Sequence, residues 1–135
     1  MTRGYSGTPL AKKLGYGPGS LAVTLGAPKT YRALLEPLPE GVRFGARVSA
    51  ATNLVHVFAT RRAELGKTLA RLRNTLGPEA VVWVSWPKGS SGVATEVTEN
   101  TVRELALPLG FVDVKVCAVD ETWSGLKLVV RKALR

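Results

Sequence analysis

The chain has 135 residues, with 19 Lys and Arg against 10 Asp and Glu, a net charge of +9, 45% hydrophobic residues, one Cys and one His. That length supports a real core without staples, and that hydrophobic share excludes a disordered polyelectrolyte. A lone Cys and a lone His exclude an internal disulfide and a Cys/His zinc cage, and no apolar run approaches the roughly 20 residues that cross a bilayer.

In chain order, Tyr5 to Gly15 reads as a short helix, with Thr8 as its cap, Pro9 at its first position and Gly15 as its stop. Pro18-Gly19 turns into an apolar strand, Leu21 to Leu25, bounded by Gly26. Pro28 opens a helix through Tyr31, Leu34 and Leu35 that Pro37 and Pro39 end, and Val42 to Phe44 is a brief strand. Leu54 to Ala59 is a nearly continuous apolar run, the pattern of a strand covered on both faces.

Residues 61–76 carry Leu65, Leu69, Leu72 and Leu76 on one face of an amphipathic helix, closed by Gly77-Pro78. Ala80 to Ser85 is a second buried strand, ended by Pro87, and Lys88-Gly89-Ser90-Ser91-Gly92 is a loop by composition. Thr98 caps a further helix, with Glu99 in its first turn and Val102, Leu105, Ala106 and Leu109 as its buried stripe. Phe111 to Val119, a polar turn from Asp120 to Gly125, and Leu126 to Arg131 form an antiparallel hairpin.

Strands alternating with helices predict an α/β fold: a three-layer, Rossmann-like open sheet, mostly parallel, ending in a C-terminal antiparallel β-hairpin. No linker interrupts the sequence, so a single domain over residues 1–135 is expected, with residues 1–19 forming an N-terminal capped helix and turn. Met1 to Lys13 has no secretory pattern, and unpaired Cys117 fits a reducing compartment, so a cytoplasmic location is expected.

The plan from Leu65 to Arg131, with Gly77-Pro78, Gly110-Phe111 and the closing hairpin, resembles the second half of a class I methyltransferase. By that likeness Leu21–Leu25 is the first strand and Leu54–Ala59 the fourth, with shortened units between. The resemblance implies an S-adenosylmethionine fold. The chain departs from the family in offering Leu25-Gly26-Ala27-Pro28 where a GxGxG turn is usual. It also has Arg43-Phe44-Gly45-Ala46-Arg47 where an acidic residue normally holds the ribose. No cofactor is therefore expected from the residues, and S-adenosylmethionine enters only through the resemblance. Three segments, Tyr5 to Gly15, Trp83 to Lys88 and Val116 to Lys127, are similar to an uncharacterised family of small bacterial proteins, catalogued as a domain of unknown function. That similarity implies no activity.

All of the charge excess lies in residues 1–76, which hold 12 Lys and Arg against 3 Asp and Glu, whereas residues 77–135 hold 7 of each. In open α/β sheets ligands sit beyond the carboxyl ends of the strands. Lys29, Arg61 and Lys88 leave those ends, and Ser90 and Ser91 add hydroxyls. The set predicts a site for a small phosphate- or carboxylate-bearing ligand. A second candidate is the hairpin turn, where Asp120, Glu121, Trp123 and Ser124 lie close in sequence. Trp123 either packs on the sheet or meets a partner.

His56 and Cys117, each inside an apolar strand, read as core residues, His56 with one hydrogen-bond partner. No catalytic set and no metal site are expected. Lys67, Arg71 and Arg73 form a solvated helix face that, with Lys12, Lys13, Lys29 and Arg32, leaves a nucleic-acid or protein adaptor as an alternative. A minimal or degenerate methyltransferase is the other alternative, and no membrane partner is expected.

Overall fold

A computed structural model describes residues 8–135. Its elements are α1 (Leu10–Leu14), β1 (Leu21–Leu25), α2 (Tyr31–Leu34), β2 (Arg43–Phe44), β3 (Leu54–Phe58), α3 (Arg62–Thr75), β4 (Val81–Pro87), α4 (Glu99–Ala106), β5 (Phe111–Ala118) and β6 (Trp123–Val130). The strands form one six-stranded sheet in the order β2-β1-β3-β4-β6-β5. β2, β1, β3 and β4 run parallel, while β6 pairs antiparallel with both β4 and β5.

Side-chain alternation along the central strands builds two cores. On one face Val55, Val57, Val82 and Val84 pack under Leu65, Leu69 and Leu72 of α3 and Val102 and Ala106 of α4. On the other, Leu54, His56, Phe58 and Trp83 meet Ala11 and Leu14 of α1, Tyr16, Tyr31 of α2 and Leu35. All five β3 residues are buried because both faces are covered. Burying each leucine of the α3 stripe stabilises the fold by about 1.5–3 kcal/mol. The layers are helix, sheet and helix, the expected three-layer architecture.

Several boundaries differ from the sequence expectation, each for a local reason. Pro9 has ψ 144°, so it is the N-cap of α1 and not its first helical residue, and Thr8 does not occupy the cap position. The Tyr5–Gly7 part of that segment lies outside the described residues. α4 stops at Ala106 because Pro108 cannot continue an α-helix; Leu107–Leu109 turn as a 3-10 helix, with Leu109 still against the core. β6 begins at Trp123, three residues before the expected Leu126. Asp120 Oδ1 accepts from the N–H groups of Thr122 and Trp123, at 2.8 Å each, and closes the turn early. Cys117 is half-exposed, not buried, because β5 is an edge strand with one neighbour.

The sheet reverses strand order at β1: the chain leaves it for β2 on one side and returns to β3 on the other. The outward connection carries α2. The return, residues 45–53, is nine residues long and has no helix, although a parallel crossover usually needs about a dozen residues and a helix. Its Val48 packs on the α3 face of the sheet.

Candidate functional site at the carboxyl edge of the sheet

Because β1, β3 and β4 are parallel, the segments leaving them emerge at one edge; the turn before antiparallel β6 lies at that edge too. Both sequence-derived candidates therefore share the carboxyl edge. At its centre Gly26 has φ 73°, and a Cβ there would lie 2.8 Å from the Phe58 carbonyl oxygen. Only glycine lets the β1 turn pass this close to the end of β3.

The predicted cations are disposed differently from one another. Lys29 is exposed, and among the described residues no carboxylate pairs with it. Arg61 is exposed and lies 3.8 Å from Glu64. Lys88 is committed to the hairpin: its Nζ donates to the Asp120 carbonyl at 2.7 Å. Ser91 Oγ accepts from Val93 N–H at 3.1 Å, and Ser90 is exposed. Thus Lys29 follows β1 and Arg61 follows β3 at the carboxyl edge, while Lys88 braces the loop after β4 against its neighbouring turn.

The first turn of α3 already holds an anion from the chain itself. Glu96 Oε1 accepts from Arg62 N–H at 2.9 Å, and Glu96 N–H donates to the Thr60 carbonyl at 2.8 Å. A carboxylate at a helix N-terminus is favoured by the free N–H groups and the helix dipole. Arg62 turns its guanidinium to Glu104 at 2.8 Å, tying α3 to α4.

The hairpin residues are not brought together. Asp120 uses its carboxylate on the turn, and Glu121 is exposed. Trp123 packs edge-on against Phe58, with ring centroids 5.1 Å apart, so it folds back on the sheet. Ser124, next along the strand, points to the opposite face.

A polar chain that the sequence reading missed crosses the α1/α2 core. Tyr16 OH lies 2.9 Å from Tyr31 OH, which lies 2.6 Å from His56 Nδ1, and His56 Nε2 lies 2.7 Å from Ser85 Oγ. His56 thus has two partners, not the single one expected. Burial pushes its pKa down to about 3, so the ring is neutral, and burial likewise raises the phenol pKa of Tyr31. His56 and Ser85 are fully buried, which makes this network a clamp for α2 and the segment after α1. Trp83 adds to the clamp, its Nε1 donating to the Leu14 carbonyl at 2.7 Å. The available signal was one polar residue in each of two adjacent apolar strands, at positions that share a sheet face.

S-adenosylmethionine held in the usual class I manner does not fit these residues. The β1 turn offers a single glycine with φ > 0, and Arg47 follows β2 where a carboxylate would take the ribose hydroxyls. Phe44 of β2 is itself covered by Arg32, whose guanidinium carbon sits 3.6 Å from the ring centroid. Among the described residues no group of three His, Cys, Asp or Glu side chains is placed to hold a metal ion.

No family model and no curated protein matches the chain. Solved structures do. A SAM-dependent methyltransferase from Aquifex aeolicus has a TM-score of 0.65 and 13% identity over 88% of this chain and 86% of its own. The PH0226 protein from Pyrococcus horikoshii gives 0.60 and 11% over 91% and 87%. A tRNA methyltransferase from B. subtilis gives 0.54 and 8% over 90% and 63%. The likeness establishes a methyltransferase-like Rossmann fold. No helix among the described residues is long and apolar enough to cross a membrane.

Proposed function

We propose that this chain is a methyltransferase-fold ligand binder whose crevice between the carboxyl ends of β1 and β3 takes a small anionic molecule. Lys29 and Arg61 supply the charge, and the loop from Lys88 to Ser91 forms the neighbouring wall. The observation that carries this reading is the combination at the strand-order reversal: a glycine turn, flanking cations and arginine in place of the acidic residue after β2. Guanidinium and ammonium groups at that point favour phosphate or carboxylate over a ribose diol. No catalytic role is assigned.

A second reading, a minimal methyltransferase, is favoured by the fold shared with the SAM-dependent Aquifex enzyme. Thermal unfolding and calorimetry with inorganic phosphate, a nucleoside monophosphate and S-adenosylmethionine separate the two. The first reading expects a rise in Tm with the phosphate compounds that Lys29→Ala or Arg61→Ala removes. Saturable binding of S-adenosylmethionine alone selects the second, and indifference to every compound at millimolar concentration eliminates both.

A further inference from the structure

The helix-free return from β2 to β3 leaves part of the α3 face of the sheet uncovered. In that place lies a hollow of about 230 Å³, lined by Leu25, Ala46, Arg47, Val48, Arg71, Leu72 and Thr75. Leu25, Val48 and Leu72 supply its apolar surface, Thr75 a hydroxyl, and Arg47 of the crossover and Arg71 of α3 two exposed arginines. Neither arginine is in an ion pair among the described residues. The contrast is Arg103, beside another depression on α4, which is bound by both Glu99 and Asp113.

We infer that this hollow is a binding site for a small carboxylic acid with a compact apolar body, such as an aromatic or branched-chain acid. The apolar wall takes the body, and the two arginines take the carboxylate, a planar acceptor that matches the guanidinium fork. The volume is below the roughly 300–1,000 Å³ of drug-sized pockets, which limits the body to about one ring. Inorganic phosphate has the charge without the body, and a nucleic acid carries its charge on phosphates, not on a planar carboxylate joined to the ring that would fill the apolar wall. The hollow shares Arg47 and the β1 end at Leu25 with the carboxyl edge, but the crossover from β2 and the body of α3 build its walls, and neither Lys29 nor Arg61 lines it.

The test is amide chemical-shift mapping of the full chain with benzoate, benzyl alcohol, inorganic phosphate and a short single-stranded DNA. Benzoate is expected to shift Arg47, Val48, Arg71 and Thr75 in a saturable way, with affinity falling about tenfold in Arg47→Ala and in Arg71→Ala. Both arginines are exposed, so these variants should fold, and circular dichroism checks it. Benzyl alcohol and phosphate should each bind at least about tenfold more weakly than benzoate. Equal binding of phosphate or DNA at these residues overturns the assignment, as does a benzoate response that survives both arginine variants. A response lost in Lys29→Ala places the ligand at the edge crevice and also overturns it.

Discussion

Gly26 and His56 show how single positions hold this fold together. The left-handed φ of Gly26 and the 2.8 Å approach of a Cβ to the Phe58 carbonyl act together. Gly26→Ala should lower stability by about 1–2 kcal/mol from backbone strain alone, with a further cost from the clash, read by urea unfolding. His56 sits between Tyr31 and Ser85, so Tyr31→Phe leaves Tyr16 OH and His56 Nδ1 without their shared partner. The expected loss is about 1–3 kcal/mol. The same histidine dictates a pH dependence. Its folded pKa is depressed to about 3, whereas an unfolded histidine titrates near about 6.5. The unfolded chain therefore takes up the proton first. The His56 contribution is complete above that unfolded value and is lost as pH falls toward 3, at about 1.4 kcal/mol per pH unit. Unfolding titrations between pH 7 and 4 measure the slope, and a variant lacking His56 should lose it. His56 was legible as a core residue from its apolar flanks, but its partners were not. They come from residues 25 and 29 positions away in sequence.

Among the elements, α3 lacks a side-chain cap from its own N-cap residue, Arg61, and is completed by Glu96 from the segment leading into α4. Glu96→Ala should cost about 0.5–2 kcal/mol, as a lost cap does, and should loosen the segment 93–97 over the end of β3, seen as faster exchange of the position-96 amide that donates to the Thr60 carbonyl. The α4 helix, in contrast, was readable in advance from Thr98 as its cap and Glu99 in its first turn; the structure adds Thr101, which completes a reciprocal capping box with Thr98. The difference is range. A cap three residues away is written into local sequence, whereas a cap 34 residues away exists only after the sheet forms. The hairpin turn shows the same limit. Asp120 and Glu121 are adjacent acids in sequence, yet one is spent on turn hydrogen bonds and the other faces solvent.

For the whole molecule, the charge asymmetry becomes a spatial one. Residues 8–76 build β2, β1 and β3 with α1 to α3, so the basic residues among them surround the strand-order reversal, and the neutral half builds β4, β6 and β5. The cations do not merge into one stripe, because α1, with Lys12 and Lys13, and α3, with Lys67 and Arg71, cover opposite faces of the sheet. The proposed capture of a small anion rests on this local placement of charge, whereas tracking of a long polyanion backbone needs a continuous basic stripe.

The sequence by itself determined the order of strands and helices, the mostly parallel sheet with its closing hairpin, and the absence of the usual cofactor-holding residues. These follow from apolar periodicity, glycine and proline punctuation and residue identity, all of which act over a few neighbours. Only the tertiary structure decided that Glu96 fills the α3 N-terminus, that Lys88 belongs to the hairpin, that His56 joins two tyrosines to Ser85, and that a short crossover leaves a hollow between Arg47 and Arg71. Each is a contact between segments far apart in the chain. Its partner is chosen by how the layers stack, and no local propensity encodes that choice.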